Sequence, residues 1–196
     1  ELRAELLDRA GGNPFFLQQL AAVEAADPPP DVVLSDGQAG TEGAIPPAVR
    51  SAIARELDAL SPAARSLVYA AAVVGDRFDM ELAIEVAGLD QTAGLTATDE
   101  LLALGIFLES DVPRQLRFRH PIVRRAVYDA TRATWRLGAH ERAARILAAR
   151  GAPVAARAHH VERSAAVGDE RAIALLTEAG DTSVGRAPAG AGRWYR

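Results

Sequence analysis

The amino-acid sequence predicts a mainly α-helical protein that carries one short β-hairpin. Alanine is abundant and aromatic residues make up only 5% of the chain, a composition that favours closely packed helices. Apolar residues recur at helical spacing in most segments, and Gly, Pro, Ser and Asp mark where those segments begin and end. Between residues 106 and 120 the text breaks into short stretches, and the second of them alternates apolar and basic residues as a half-buried strand does.

Composition excludes several classes of protein. The net charge is −4, there is no cysteine, and no apolar run approaches the roughly 20 residues that span a bilayer. A disulfide-stabilised, thiol-dependent or membrane-inserted protein is therefore not expected, and a cytoplasmic one is. All 22 basic residues are arginine. Because a P-loop needs a lysine after its glycine-rich turn, the chain holds no standard P-loop and is not a complete NTPase of that kind.

The first 46 residues predict two helices and a linker. Residues 2–10 are helical up to Gly11 and Gly12, after which Asn13 caps a second helix and Pro14 fills its first position. That helix ends at the "DPPP" of residues 27–30, and residues 27–46 have the composition of a linker. A helix start of this kind can receive a phosphate, although a plain capped helix is the simpler interpretation.

The remaining residues predict two further regions. Helices at 45–60, 61–75, 79–89 and 96–105 precede the hairpin, and another begins at Pro121, which is a winged-helix-like order over residues 47–131. From residue 132 onward, helical segments are separated by Gly and Pro, as in a helical-repeat (tetratricopeptide-like) array over 132–196. Both ends begin or stop within helical text, so we expect a piece of a longer protein.

Three stretches together resemble one family: "GGNPFFLQQL", "IPPAVRSAIARELDALSPAARSLVYAAAVVG" and "FRHPIVRRAVYDA". The chain is similar to the signal-transducing ATPases with numerous domains (the STAND class of AAA-type ATPases) found in large ATP-binding LuxR-type transcriptional regulators. Similar text occurs in bacterial adenylate cyclases with an appended ATPase. The resemblance implies that residues 1–26 end a small helical lid domain, that 47–131 form a winged helix, and that repeats begin at 132.

The resemblance also implies a cofactor, partners and site residues. The cofactor is ATP or ADP, with Mg in the intact protein, and is not expected to bind the chain tightly without the missing P-loop domain. Gly12, Asn13 and Pro14 match an element whose proline packs against adenine, and His120 matches a histidine that contacts the β-phosphate of ADP in related apoptotic and plant immune ATPases. Pro121 departs from the aspartate of those relatives. The alternative is that His120 caps its helix or packs beside the hairpin.

Seven arginines but only one acid lie between residues 114 and 136. Alternation places Arg117 and Arg119 on one face of a strand, and Arg124 and Arg125 follow on the next helix. These four are candidate contacts for phosphate or DNA. The alternatives are a solvated face, or pairing with acids of the missing nucleotide domain.

The sequence contains no recognisable catalytic constellation. Adjacent His159 and His160 point about 100° apart on a helix, so together with His140 they are expected on the surface or between helices and not around a metal. The intact protein is expected to be an ATPase through its missing domain.

Three functions remain open. The leading one is a regulatory fragment that couples the ADP or ATP state to release of the winged helix and to self-association, with an inducer or protein bound on the repeats and DNA bound by an absent C-terminal helix-turn-helix. The alternatives are a DNA-binding winged-helix regulator, and a helical-repeat protein-binding adaptor of a cyclase-linked ATPase.

Overall fold

The computed structural model describes residues 45–183. Within them the chain is mainly helical, with eight helices and a small antiparallel sheet of three short strands. The elements, in chain order, are α1 (Pro47–Asp58), α2 (Pro62–Val74), β1 (Arg77–Asp79), α3 (Met80–Ala87), α4 (Gln91–Ala103), β2 (Phe107–Glu109), β3 (Gln115–Phe118), α5 (Pro121–Ala130), α6 (Ala133–Ala149), α7 (Val154–Ser164) and α8 (Glu170–Ser183).

Several predictions fall outside the described residues. They are the helices of residues 2–26, most of the linker at 27–46, and the helix start after residue 186.

Local capping sets where the helices begin, as the sequence predicts. The hydroxyl of Ser61 accepts a hydrogen bond from the backbone N–H of Ala64 at 3.1 Å, with Pro62 in the first helical position of α2. The carboxylate of Asp79 accepts from Leu82 N–H at 2.7 Å at the start of α3. Gly75 follows the last residue of α2. These short-range bonds satisfy backbone groups that a helix end otherwise leaves unpaired.

The sheet has the strand order β1-β3-β2, with both pairs antiparallel. The sequence predicted the hairpin of β2 and β3 but not β1, whose three residues pair with β3 across the intervening helices α3 and α4. Three phenylalanines pack on the inner face, with Phe107 at 4.9 Å from Phe78 and 5.2 Å from Phe118 between ring centroids. The order α2-β1-α3-α4-β2-β3 is that of a winged helix.

Helix α2 lies at the centre of the core. Its side chains from Ala64 to Val73 are largely buried, and it packs against α3, α4, α5 and α6. The α1 residues Val49, Ile53 and Leu57 follow one another at helical spacing, and they are buried in the same cluster as the sheet phenylalanines. One continuous core therefore joins α1–α5 and the sheet.

Helix α6 shares buried contacts with the region before it. Ala139 and Ala143 of α6 pack with Val73 of α2 and with Leu82 and Val86 of α3. Helices α7 and α8 follow in order, α7 packing on α6 and α8 on α7. The packing thus continues across the boundary predicted between residues 131 and 132. None of the helices in residues 45–183 combines the length and the apolar character needed to cross a bilayer.

Candidate functional site

His120 lies where strand β3 leads into helix α5, and its side chain caps that helix. Its Nδ1 accepts a hydrogen bond from Ile122 N–H at 3.1 Å, and Pro121 occupies the first helical position. An Nδ1 that accepts carries no proton, so the capping ring is neutral and holds its proton on Nε2. The side chain is buried, including the Nε2 atom.

The capping interpretation of His120 is therefore observed. The contact with a nucleotide phosphate stays a prediction, and it requires Nε2 to become exposed. The residues expected at the adenine, Gly12, Asn13 and Pro14, lie outside the described residues. Their distance from His120 is therefore not described.

Two of the candidate arginines in the basic stretch have acidic partners that the local sequence does not reveal. The guanidinium of Arg119 binds the carboxylate of Glu56 on α1 at 2.6 Å. That of Arg124 lies 3.4 Å from the carboxylate of Asp76 and donates through Nε to the carbonyl of Ala72 at 3.0 Å. These acids are 63 and 48 residues away in sequence, so a window around the arginines misses them.

The other two candidate arginines differ from each other. Arg125 forms an i,i+4 pair with Asp129 at 3.0 Å on the exposed side of α5. Arg117 lies in the middle of β3, half-buried, opposite Arg77 of β1 and Leu108 of β2. Leu116 and Phe118 on either side are buried. The predicted alternation of β3 is confirmed, and Arg117 points away from the phenylalanine core.

Helix α4 occupies the position at which a winged helix presents its recognition helix. It contains two acids, Asp99 and Glu100, and no basic residue. Glu100 is turned inward, where its two oxygens accept from the backbone N–H of Ser61 at 2.9 Å and from its hydroxyl at 2.6 Å. Leu95 is 41% exposed on the outer side. This helix has no group that could neutralise a DNA phosphate.

A buried row of polar rings joins α5, α6 and α7. The Nε2 of His140 lies 3.0 Å from the Tyr128 hydroxyl, and its Nδ1 lies 3.0 Å from the Nδ1 of His160. Arg163 donates to the same hydroxyl at 3.4 Å. One consistent arrangement has Tyr128 donating to His140 and His140 donating to His160, which makes both imidazoles neutral.

Burial and nearby positive charge keep these imidazoles neutral. Desolvation, then the neighbouring His160 and His159, lowers the pKa of His140 from 6.5 to about 3. Desolvation, then Arg124 and Arg163, lowers the pKa of His160 to about 4. Of the two placements predicted for these histidines, on the surface or between helices, the structure shows the second for His140 and His160. In residues 45–183 no group of three or more His, Asp or Glu side chains is arranged to hold a metal ion.

The buried row was not predicted as a unit. His140 and His160 are 20 residues apart on different helices. The sequence does contain a usable signal, because Ala139 and Ala143 beside His140 are small and are spaced for one helix face. The structure shows that this face is buried.

Comparison of the chain with protein-family models, with curated proteins and with solved structures finds no match. The family resemblance of the sequence stays a prediction that rests on the quoted stretches.

Proposed function

We propose that the chain is a regulatory part of a nucleotide-switched signalling ATPase of the LuxR-regulator type, in which a winged helix couples the ADP or ATP state to its own release and to oligomerisation. The observation that carries the proposal is the internal use of charge in the winged helix. Arg119 and Arg124 are bound to acids of the same chain, and α4 carries acids in place of bases. Such a domain is suited to packing against protein.

His120 would connect nucleotide to fold. Its Nδ1 holds the start of α5, so a phosphate oxygen would be bound through the proton on Nε2 once that buried atom is exposed. Helix α5 packs on both α1 and α2, which places its first turn next to the core. A phosphate bound in one nucleotide state would therefore favour one packing of α5. The ligand shifts such an equilibrium only by its differential affinity for the two forms.

The proposal also specifies what the protein binds and where in the cell it works. ADP or ATP with Mg would be held by an upstream P-loop domain, with Gly12, Asn13 and Pro14 at the adenine. An inducer on α6–α8 and the following residues would favour the released form. Proteins that respond to the ATP and ADP pools operate in the cytoplasm, which is where the proposal places this one.

The DNA-binding alternative makes a separate expectation. Duplex binding through the winged helix alone would weaken steeply between about 50 and 200 mM salt, because each neutralised phosphate releases counterions. We expect the 196-residue chain to show no such salt-dependent binding. Tight, salt-sensitive binding that is lost on Arg117→Ala and Arg125→Ala would favour the DNA-reading function instead.

The decisive experiment measures ADP affinity in the chain extended by its own upstream coding sequence. His120→Asn keeps a capping acceptor and removes the Nε2 donor, and His159→Asn makes the same chemical change on α7. We expect His120→Asn to weaken ADP binding by roughly tenfold, the worth of a charge-assisted hydrogen bond, and His159→Asn to leave it unchanged. Equal affinities in the wild type and both variants would exclude the phosphate role of His120. An extended chain that binds no nucleotide would refute the proposal as a whole.

A further inference from the structure

A cleft at the other end of α5 has the chemistry of a small-molecule site. It has a volume of about 420 Å³ and lies between the first turns of α2, the end of α5 and the start of α6. Its volume falls within the range of ligand pockets, roughly 300–1,000 Å³. Since α5 has ten residues, the cleft is about 15 Å from His120 along the helix. It is therefore separate from the proposed nucleotide contact.

The polar lining of the cleft is cationic. Arg65 reaches it from α2 and Arg132 from the residue before α6, and no acid contributes to the lining. Neither guanidinium has a carboxylate partner within residues 45–183. By contrast Arg119 and Arg124, at the other end of α5, each have one. Two positive groups without internal compensation face the same opening, and this arrangement favours an anion.

The apolar lining is aromatic. Tyr69 and Trp135 meet edge to face, with ring centroids 6.0 Å apart, and both are half-buried at the cleft. The guanidinium of Arg142 lies over the Trp135 indole, 5.5 Å from its centre, which adds positive charge next to the ring. Along α2 the lining residues are spaced i, i+3, i+4 and i+7, so they form one helix face (Pro62, Arg65, Ser66 and Tyr69).

We propose that this cleft binds a small organic anion whose carboxylate or phosphate is held by Arg65 and Arg132 and whose aromatic or apolar body rests on Tyr69 and Trp135. Arginine suits such a ligand because its planar fork binds either oxyanion with two parallel hydrogen bonds. The bound molecule contacts α2, α5 and α6 at once. It would therefore stabilise the packing of α6 against the helices that precede it.

The test uses the full chain carrying Trp194→Phe, so that Trp135 is the only tryptophan and its fluorescence reports on the cleft. The probes are phenyl phosphate, benzoate, inorganic phosphate and the neutral benzyl alcohol. We expect saturable binding of phenyl phosphate, benzoate or both. Benzyl alcohol and inorganic phosphate should bind with an affinity that is lower by roughly tenfold or more. Binding of only one aromatic anion identifies which oxyanion the site takes.

Variants locate the binding. Arg65→Ala and Arg132→Ala should each weaken the binding of the aromatic anion by roughly tenfold. Arg55→Ala removes the same charge from the exposed side of α1 and should change nothing. Far-UV circular dichroism confirms that each variant folds. No saturation up to about 10 mM, ten times the Kd of a millimolar site, overturns the proposal. So does equal binding of benzyl alcohol, or binding that survives both cleft substitutions.

Discussion

The buried imidazoles of His140 and His160 predict a specific loss of stability in mild acid. Both rings are almost completely removed from solvent, at 1% and 3% exposure. In the unfolded chain each takes up a proton near pH 6.5, whereas in the folded chain the pKa values are about 3 and about 4. The unfolded state therefore binds more protons below pH 6.5. Stability is complete above that pH and is lost as the pH falls toward 4 and 3.

The size of the loss follows from the interval of pH. Between pH 8 and pH 5, protonation of one ring in the unfolded state lowers the free energy of unfolding by about 2 kcal/mol, because pH 5 lies about 1.5 units below a pKa of 6.5 and each unit is worth about 1.36 kcal/mol. Two rings give about 4 kcal/mol, a large share of the 5–15 kcal/mol typical of a domain. The result is insensitive to the folded pKa values provided that both stay below about 4.5. The charges that face the rings, Arg163 and Arg124, oppose protonation further.

The assay is urea unfolding of the wild type and of His160→Gln at pH 8, 6.5 and 5. Glutamine keeps a neutral hydrogen-bonding group beside His140 but does not titrate, so the variant should lose about 2 kcal/mol less than the wild type between pH 8 and pH 5. Carboxylates titrate alike in both proteins and cancel in the difference. Equal losses would mean that His160 is protonated or hydrated in the folded state. Should the variant fold poorly, ring NMR shifts of the wild type decide, since both imidazoles must stay neutral at pH 5.

Substitutions at two glycines test the packing, and substitutions at Glu100 test its hydrogen bonds to Ser61. A Cβ at Gly94 of α4 would lie 2.5 Å from a side-chain carbon of Ile84, so Gly94→Ala should lower the free energy of unfolding in urea by about 1–2 kcal/mol, despite the better helix propensity of alanine. A Cβ at Gly138 would meet only a flexible side chain at 3.4 Å, so Gly138→Ala should raise the free energy of unfolding by about 0.5–1 kcal/mol in the same assay. Glu100→Ala should cost about 1–3 kcal/mol in urea unfolding because it removes both acceptors of Ser61, and Glu100→Gln should cost less; equal costs for the two would argue against the hydrogen bonds.

Features set within a few residues could be predicted from the sequence. Ser61 and Asp79 cap their helices by accepting a hydrogen bond from the residue three positions later, so the sequence around each of them is enough to predict the cap. The alternation of Leu116 and Phe118 with arginines likewise predicted β3. The starting points of α2, α3 and α5 and the mainly helical class followed from such local rules.

Features that depend on contacts between distant residues could not be predicted from the sequence. Strand β1 has only three residues, too few for a period, and it exists through its pairing with β3. The acidic partner of Arg119 is 63 residues away, so a local count of charge overstated the free positive charge around the hairpin. His140 and His160 become neighbours only when α6 packs against α7. The cleft is likewise defined by three helices, and its two arginines belong to separate segments.

Helix α5 connects the features on which the proposals depend. His120 caps its first turn, Tyr128 bonds to His140 near its end, and the cleft begins at Ala130. A hydrogen-bonded helix of ten residues moves largely as a rigid body, so displacement at the cap reaches the tyrosine and the cleft together. Any motion of α5 must then break the Tyr128–His140 bond or carry α6 with it. Either course disturbs the core, because Val123, Ala126 and Val127 of α5 are buried in it. The second also disturbs the packing of α6 on α2 and α3, so separation at the tyrosine is the cheaper of the two.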